Sequence, residues 1–172
     1  MKADWRTTLC REVAAARRLV VLGVGAREKG DDAAGHLCAI SLRRELRGRH
    51  RGRVKVLAAA DVPESATGPI RRFRPALVLI VDAALADRRP GAVFFVPREA
   101  LAEESPTTHA VPLRYLAAYL EETAGCRVIV LGIQPGRIAP GEPLSAPVRA
   151  AAQAVVREIL GGLKAGRGAA RP

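Results

Sequence analysis

The segment Leu19-Val20-Val21-Leu22-Gly23-Val24 constrains this chain more than any other, because it is a short, unbroken apolar run, rich in β-branched residues and closed by Gly23 and Gly25. A strand with one wet face alternates apolar and polar residues. A run without alternation is read as a strand buried on both faces, the situation of parallel strands covered by helices. Ala76 to Val81 repeats the pattern and stops at Asp82, and Arg127 to Ile133 reads as a further strand.

Between these runs the period changes. From Asp32 to Leu46, the residues Ala34, Leu37, Cys38, Ser41 and Leu42 fall at helical spacing, with Arg43, Arg44 and Glu45 turned outward. Acidic residues open this segment and basic ones follow, which suits a helix dipole. Val54 to Leu57 is read as a second strand, Pro63 to Phe73 as a short helix introduced by its proline, and Gly91 to Val96 as a fourth strand. Val111 to Glu122 and Ala146 to Leu160 complete the set as amphipathic helices. Strands alternating with helices predict an α/β fold, a three-layer α/β/α sandwich with a mostly parallel five-stranded twisted sheet. The direct link between the third and fourth strands predicts one antiparallel edge. Residues 19–162 form the expected domain, 1–18 an N-terminal extension with helical character, and 163–172 a flexible basic tail of Gly, Ala and Arg with little to bury.

A formal net charge of +11 invites a nucleic-acid reading, yet 24 of the 28 basic residues are Arg, as a GC-rich coding sequence imposes on any protein. They are spread along the chain without interleaved aromatics to stack bases, so the charge reads as solvated surface and no nucleic-acid partner is expected. Cys10, Cys38 and Cys126 are odd in number and in no C-x-x-C pair, which fits a reducing cytoplasm better than a disulfide framework. The apolar runs are far shorter than the roughly 20 residues that cross a bilayer, so no membrane partner is expected. Arg17-Arg18 before Leu19 has the look of a twin-arginine signal, but the apolar run ends at once in a Gly-rich turn.

Gly23-Val24-Gly25 is the start of a dinucleotide fingerprint that fails at its third glycine, where Glu28 stands. Gly30-Asp31-Asp32 then places carboxylates where a phosphate needs bare amides, so the site suits a cation. Asp32 and Asp82 follow the first and third strands and would both sit in the crevice beyond the carboxyl ends of the sheet. His109, in Ser105-Pro106-Thr107-Thr108-His109, is the third candidate. One imidazole and two carboxylates make an open site for nickel, zinc or a similar divalent ion and support metal-assisted hydrolysis. His36, four residues after Asp32, is a rival ligand, and Cys38 and Cys126 read as packing residues rather than nucleophiles.

Taken together, Val20-Val21-Leu22-Gly23-Val24-Gly25, Gly30-Asp31-Asp32-Ala33-Ala34-Gly35, Leu79-Ile80-Val81-Asp82-Ala83 and Thr107-Thr108-His109 resemble the hydrogenase maturation endopeptidases in order and spacing. Pro112-Leu113-Arg114-Tyr115-Leu116 and Leu131-Gly132-Ile133-Gln134-Pro135 resemble the branch that processes hydrogenase-3, or formate-hydrogenlyase-type, large subunits. The resemblance implies a cytoplasmic, monomeric endopeptidase, often classed as aspartic-type, whose partner is the large-subunit precursor of a nickel-iron hydrogenase. Such an enzyme removes a C-terminal extension after nickel insertion. Asp32, Asp82 and His109 match the family's metal-binding and catalytic positions. The implied nickel is carried by the precursor, and zinc or another divalent ion is able to take its place in vitro.

The chain departs from the family at two places: Ala26 stands where Asn is usual, and Ala58-Ala59-Ala60 where Asp-Gly-Gly is usual. Asp61 is a candidate to replace the missing carboxylate. Two other functions stay open on sequence alone, a catalytically silent relative that chaperones the nickel-bearing precursor, and a nucleic-acid binder whose affinity falls with salt.

Overall fold

The computed structural model describes residues 4–60, 62–102 and 113–168. In chain order the elements are α1 (Trp5–Ala15), β1 (Leu19–Val24), α2 (Ala34–Leu46), β2 (Val54–Ala59), α3 (Thr67–Phe73), β3 (Leu77–Ala83), β4 (Val93–Phe95), α4 (Leu113–Ala124), β5 (Arg127–Ile133) and α5 (Ala146–Gly168). The strands form a five-stranded sheet in the order β2-β1-β3-β5-β4. All pairs are parallel except β4 with β5. An antiparallel edge is present, as expected, although β4 leaves the place beside β3 to β5 and pairs with β5 instead.

The lack of alternation in β1 and β3 has the cause read from it. Leu19, Val21, Leu77, Leu79 and Val81 pack with α1, α2 and α5 on one face. Val20, Leu22, Val24, Val78 and Ile80 pack with α3 and α4 on the other. Each such side chain, fully withdrawn from water, contributes roughly 1.5–3 kcal/mol before entropy is counted.

Four readings change. Asp82 lies inside β3, whose ladder continues to Ala83 opposite Ile133. The segment from Asp32 to Leu46 opens with a 3-10 turn, Gly30–Ala33, and only then becomes α-helical. A second 3-10 turn, Pro63–Ala66, likewise precedes α3. Finally, α5 runs through Gly168 with Leu163 only 1% exposed, so 163–168 is helix and not tail. The N-terminal segment also belongs to the main core, since α1 buries Leu9 and Val13 beside α5. Arg53 fastens the two helices. Its guanidinium donates to the carbonyls of Val13, Ala14 and Ala16 near the end of α1 and to that of Leu163 in α5. The apolar stripe of α1 is only one residue wide, Trp5, Leu9 and Val13, and besides the apolar residues of α5 it meets Gly162, which lies against Val13 and the Cys10 carbonyl, so α1 signals its burial weakly by composition.

One close approach sets the geometry above the sheet. A β-carbon on Gly35, in the first turn of α2, would lie 2.0 Å from the Val81 carbonyl oxygen and 2.4 Å from that of Val24. Gly35→Ala is therefore expected to lower stability by roughly 1–3 kcal/mol through overpacking. Denaturant unfolding checks this, and an unchanged midpoint would show that α2 has room to lift.

Candidate functional site

The chain leaves β1 toward β2 on one side and leaves β3 toward β5 and β4 on the other, so the sheet order reverses between β1 and β3. In an open α/β sheet the crevice beyond the carboxyl ends at such a point is where ligands bind. Asp32 and Asp82 both lie at that edge of the sheet. Gly23 in β1 is level with Val81 in β3, which puts Asp82 one step further along the same edge. The 3-10 turn that carries Asp32 packs against β3.

The turn is built tightly. The Gly25 amide donates to the Ala60 carbonyl at 2.9 Å, extending the β1–β2 ladder by one bond. Gly25 then takes φ +127°, and a β-carbon there would lie 1.8 Å from the Asp32 carbonyl oxygen, so only glycine fits. The chain folds back until the Ala26 amide donates to Asp32 Oδ2 at 2.7 Å.

Asp32 is 0% exposed, and its Oδ1 has no hydrogen-bond partner among the described residues. Burying a carboxylate with a bare oxygen is costly unless a donor or cation meets it. Asp82 is 3% exposed, and its Oδ1 accepts the Ala83 amide at 2.9 Å. Among the described residues no group of three or more His, Cys, Asp or Glu is placed to hold a metal ion. His109 and Asp61 lie outside the described residues.

Asp31, adjacent to Asp32, has the opposite environment. Its carboxylate accepts the amides of Gly136, Arg137 and Ser145 and the Ser145 hydroxyl, at 2.7–3.1 Å. Burial alone would push this carboxyl up, but the Ser145, Gly136 and Arg137 amides with the Ser145 hydroxyl outweigh it and hold the group below its ordinary value. Gln134, 5% exposed, accepts the amides of Ala86 and Arg88 through Oε1. Asp31, Gln134 and Ser145 are the site-building residues that sequence reasoning missed.

Asp32 sits in a 3-10 turn ahead of α2, so the shared α-helical face on which an Asp32/His36 pair depends does not form. Burial, with Arg27 and Arg43 nearby, lowers the His36 pKa and favours the neutral imidazole. Burial pushes the Cys38 thiol up to about 12, and its Sγ contacts the Ala152 carbonyl at 3.5 Å. Cys126 is likewise buried and its thiol raised by desolvation. Both are packing residues, as read from the sequence.

Fold and site together define an open α/β protein with buried carboxylates at its topological switch point. The family model for hydrogenase maturation proteases matches residues 38–162. The chain is 35% identical to the hydrogenase 3 maturation protease of Escherichia coli K12 over 143 residues, covering 83% of this chain and 88% of that one. It is 30% identical over 149 residues to a putative hydrogenase maturation protease of Methanocaldococcus jannaschii, covering 84% and 87%. The crystal structure of the NiFe hydrogenase maturation protease HycI from Thermococcus kodakarensis superposes with a TM-score of 0.82 at 33% identity, covering 91% of this chain and 99% of that one. This chain belongs to the hydrogenase maturation protease family. No helix among its described residues is long and apolar enough to cross a membrane.

A buried acid kept for a ligand weakens the fold that holds it. Asp32→Asn is therefore expected to stabilise the metal-free protein by roughly 0.5–2 kcal/mol in denaturant unfolding. A loss of stability would mean that the Asp32 carboxylate is already satisfied.

Proposed function

We propose that this chain is an endopeptidase that removes the C-terminal extension of a nickel-iron hydrogenase large-subunit precursor after nickel has been inserted. The observation that carries the reading is Asp32, a fully buried carboxylate at the β1/β3 switch point with one oxygen unpartnered among the described residues, in a member of a maturation protease family. In this reading the nickel arrives on the precursor as part of the substrate. Asp32, Asp82 and His109 meet it and hold the scissile peptide beside it.

Several features support that assignment. The β3 side chains alternate between the two packed faces, so Asp82 follows Val78 and Ile80 toward the layer of α3 and α4. Because β5 is parallel to β3, α4 begins at the carboxyl edge of the sheet, and His109 lies four residues before its first residue, Leu113. Hydrolysis needs an activated water, which either the bound ion or one of the carboxylates is able to supply. A requirement for nickel makes the reaction a checkpoint, since an empty precursor offers the three side chains nothing to hold.

Mass spectrometry of a nickel-loaded precursor from the same organism, incubated with the protein, tests the proposal. One defined C-terminal peptide is expected to be lost, with nickel-free precursor left intact. Asp32→Ala and His109→Ala should reduce the rate roughly a hundredfold or more through misplacement of the reacting groups. A precursor that binds but stays whole would instead identify a silent chaperone. Failure to bind, with salt-sensitive nucleic-acid affinity in its place, would sink the protease reading.

A further inference from the structure

Three loops rise from the carboxyl edge of the sheet, 25–33 after β1, 84–92 after β3 and 134–145 after β5. The third is fastened to both others. Gln134 fixes it to the second, since its side chain accepts the Ala86 and Arg88 amides while its backbone exchanges bonds with Gly91 and Ala92. Asp31 fixes it to the first. Four donors converge on this one carboxylate, and the bond runs in both directions. The Asp31 amide donates to the Arg137 carbonyl at 2.9 Å while the Arg137 amide donates back to Oδ2 at 3.1 Å. The Gly141 amide adds a bond to the Glu28 carbonyl at 2.8 Å.

Ser145, which supplies two of the four donors, immediately precedes α5. That helix is among the most firmly seated parts of the fold, packed on α1 and α2 through Val148, Val155, Val156 and Ile159. Asp31 thus moors the turn that bears Asp32 to a rigid element. Charge-assisted bonds of this kind are about twice as strong as neutral ones. Among the described residues, the Asp32 carboxylate is held by the Ala26 amide alone.

We propose that Asp31 is a positioning residue: by locking the Gly30–Ala33 turn to the loop 134–145 and the start of α5, it sets where Asp32 presents its carboxylate. The proposal rests on the role assigned to Asp32 above. Asp31 itself touches no substrate, because its oxygens are occupied by four donors.

Residue-resolved hydrogen exchange on the full chain separates positioning from mere stabilisation, with Asp31→Ala and the milder Asp31→Asn as variants. The Ala26 amide reports directly on Asp32. It is expected to exchange about tenfold faster or more in either variant, the effect of losing bonds to a charged group, while Leu79 in β3 keeps its protection. If Gly136, Arg137 and Ser145 loosen but Ala26 does not, the inference fails. In the cleavage assay, at a temperature where both proteins are folded, kcat is expected to fall roughly 10–100-fold, as for other residues that orient a ligand, with KM little changed. Wild-type kcat in the folded variant overturns the inference. A wild-type protein that cleaves nothing refutes the protease reading instead, and the exchange at Ala26 still decides the role of Asp31.

Discussion

Everything at the site depends on how closely the start of α2 approaches the carboxyl ends of β1 and β3. Gly35 lies against the carbonyl oxygens of Val81 and Val24, with no room for a side chain. The turn before it is forced down onto the sheet, and Gly25 gives way to the Asp32 carbonyl. This contact buries Asp32 completely, beside β3, whose penultimate residue is Asp82. A looser junction would leave both carboxylates in water, where a bare oxygen carries no energetic demand for a partner.

The neighbouring acids Asp31 and Asp32 show how environment divides identical chemistry. Both are 0% exposed. Asp31 has its four donors, whereas Asp32 has, among the described residues, one donor on one oxygen and none on the other. The strong positive charge of the chain is a separate matter. It is spread over the surface and does not enter the hydrogen bonding of these carboxylates.

Much of this was legible in the sequence. Burial on both sheet faces leaves a direct trace in non-alternating runs, and the positions of Asp32 and Asp82 after such runs pointed to the crevice. The division of labour between Asp31 and Asp32 was not legible, because the donors that satisfy Asp31 are mainly backbone amides 105–114 residues downstream. An amide has no residue-type signature. The continuation of α5 and the docking of α1 were hidden for another reason. Beside the apolar contacts, the two helices are joined by close approach at Gly162 and Gly166 and by the guanidinium of Arg53 on their carbonyls, features that leave no periodic trace in the sequence. His109 was identified by motif, and its place lies outside the described residues.

The central claim is that Asp32 meets the nickel carried by the precursor, and nickel K-edge X-ray absorption tests it most directly. Spectra would be taken from the nickel-loaded precursor alone and frozen immediately after mixing with equimolar protease. New oxygen or nitrogen neighbours at nickel in the complex, absent with Asp32→Ala, are the expected result. An unchanged nickel shell in a complex shown to have formed would contradict it.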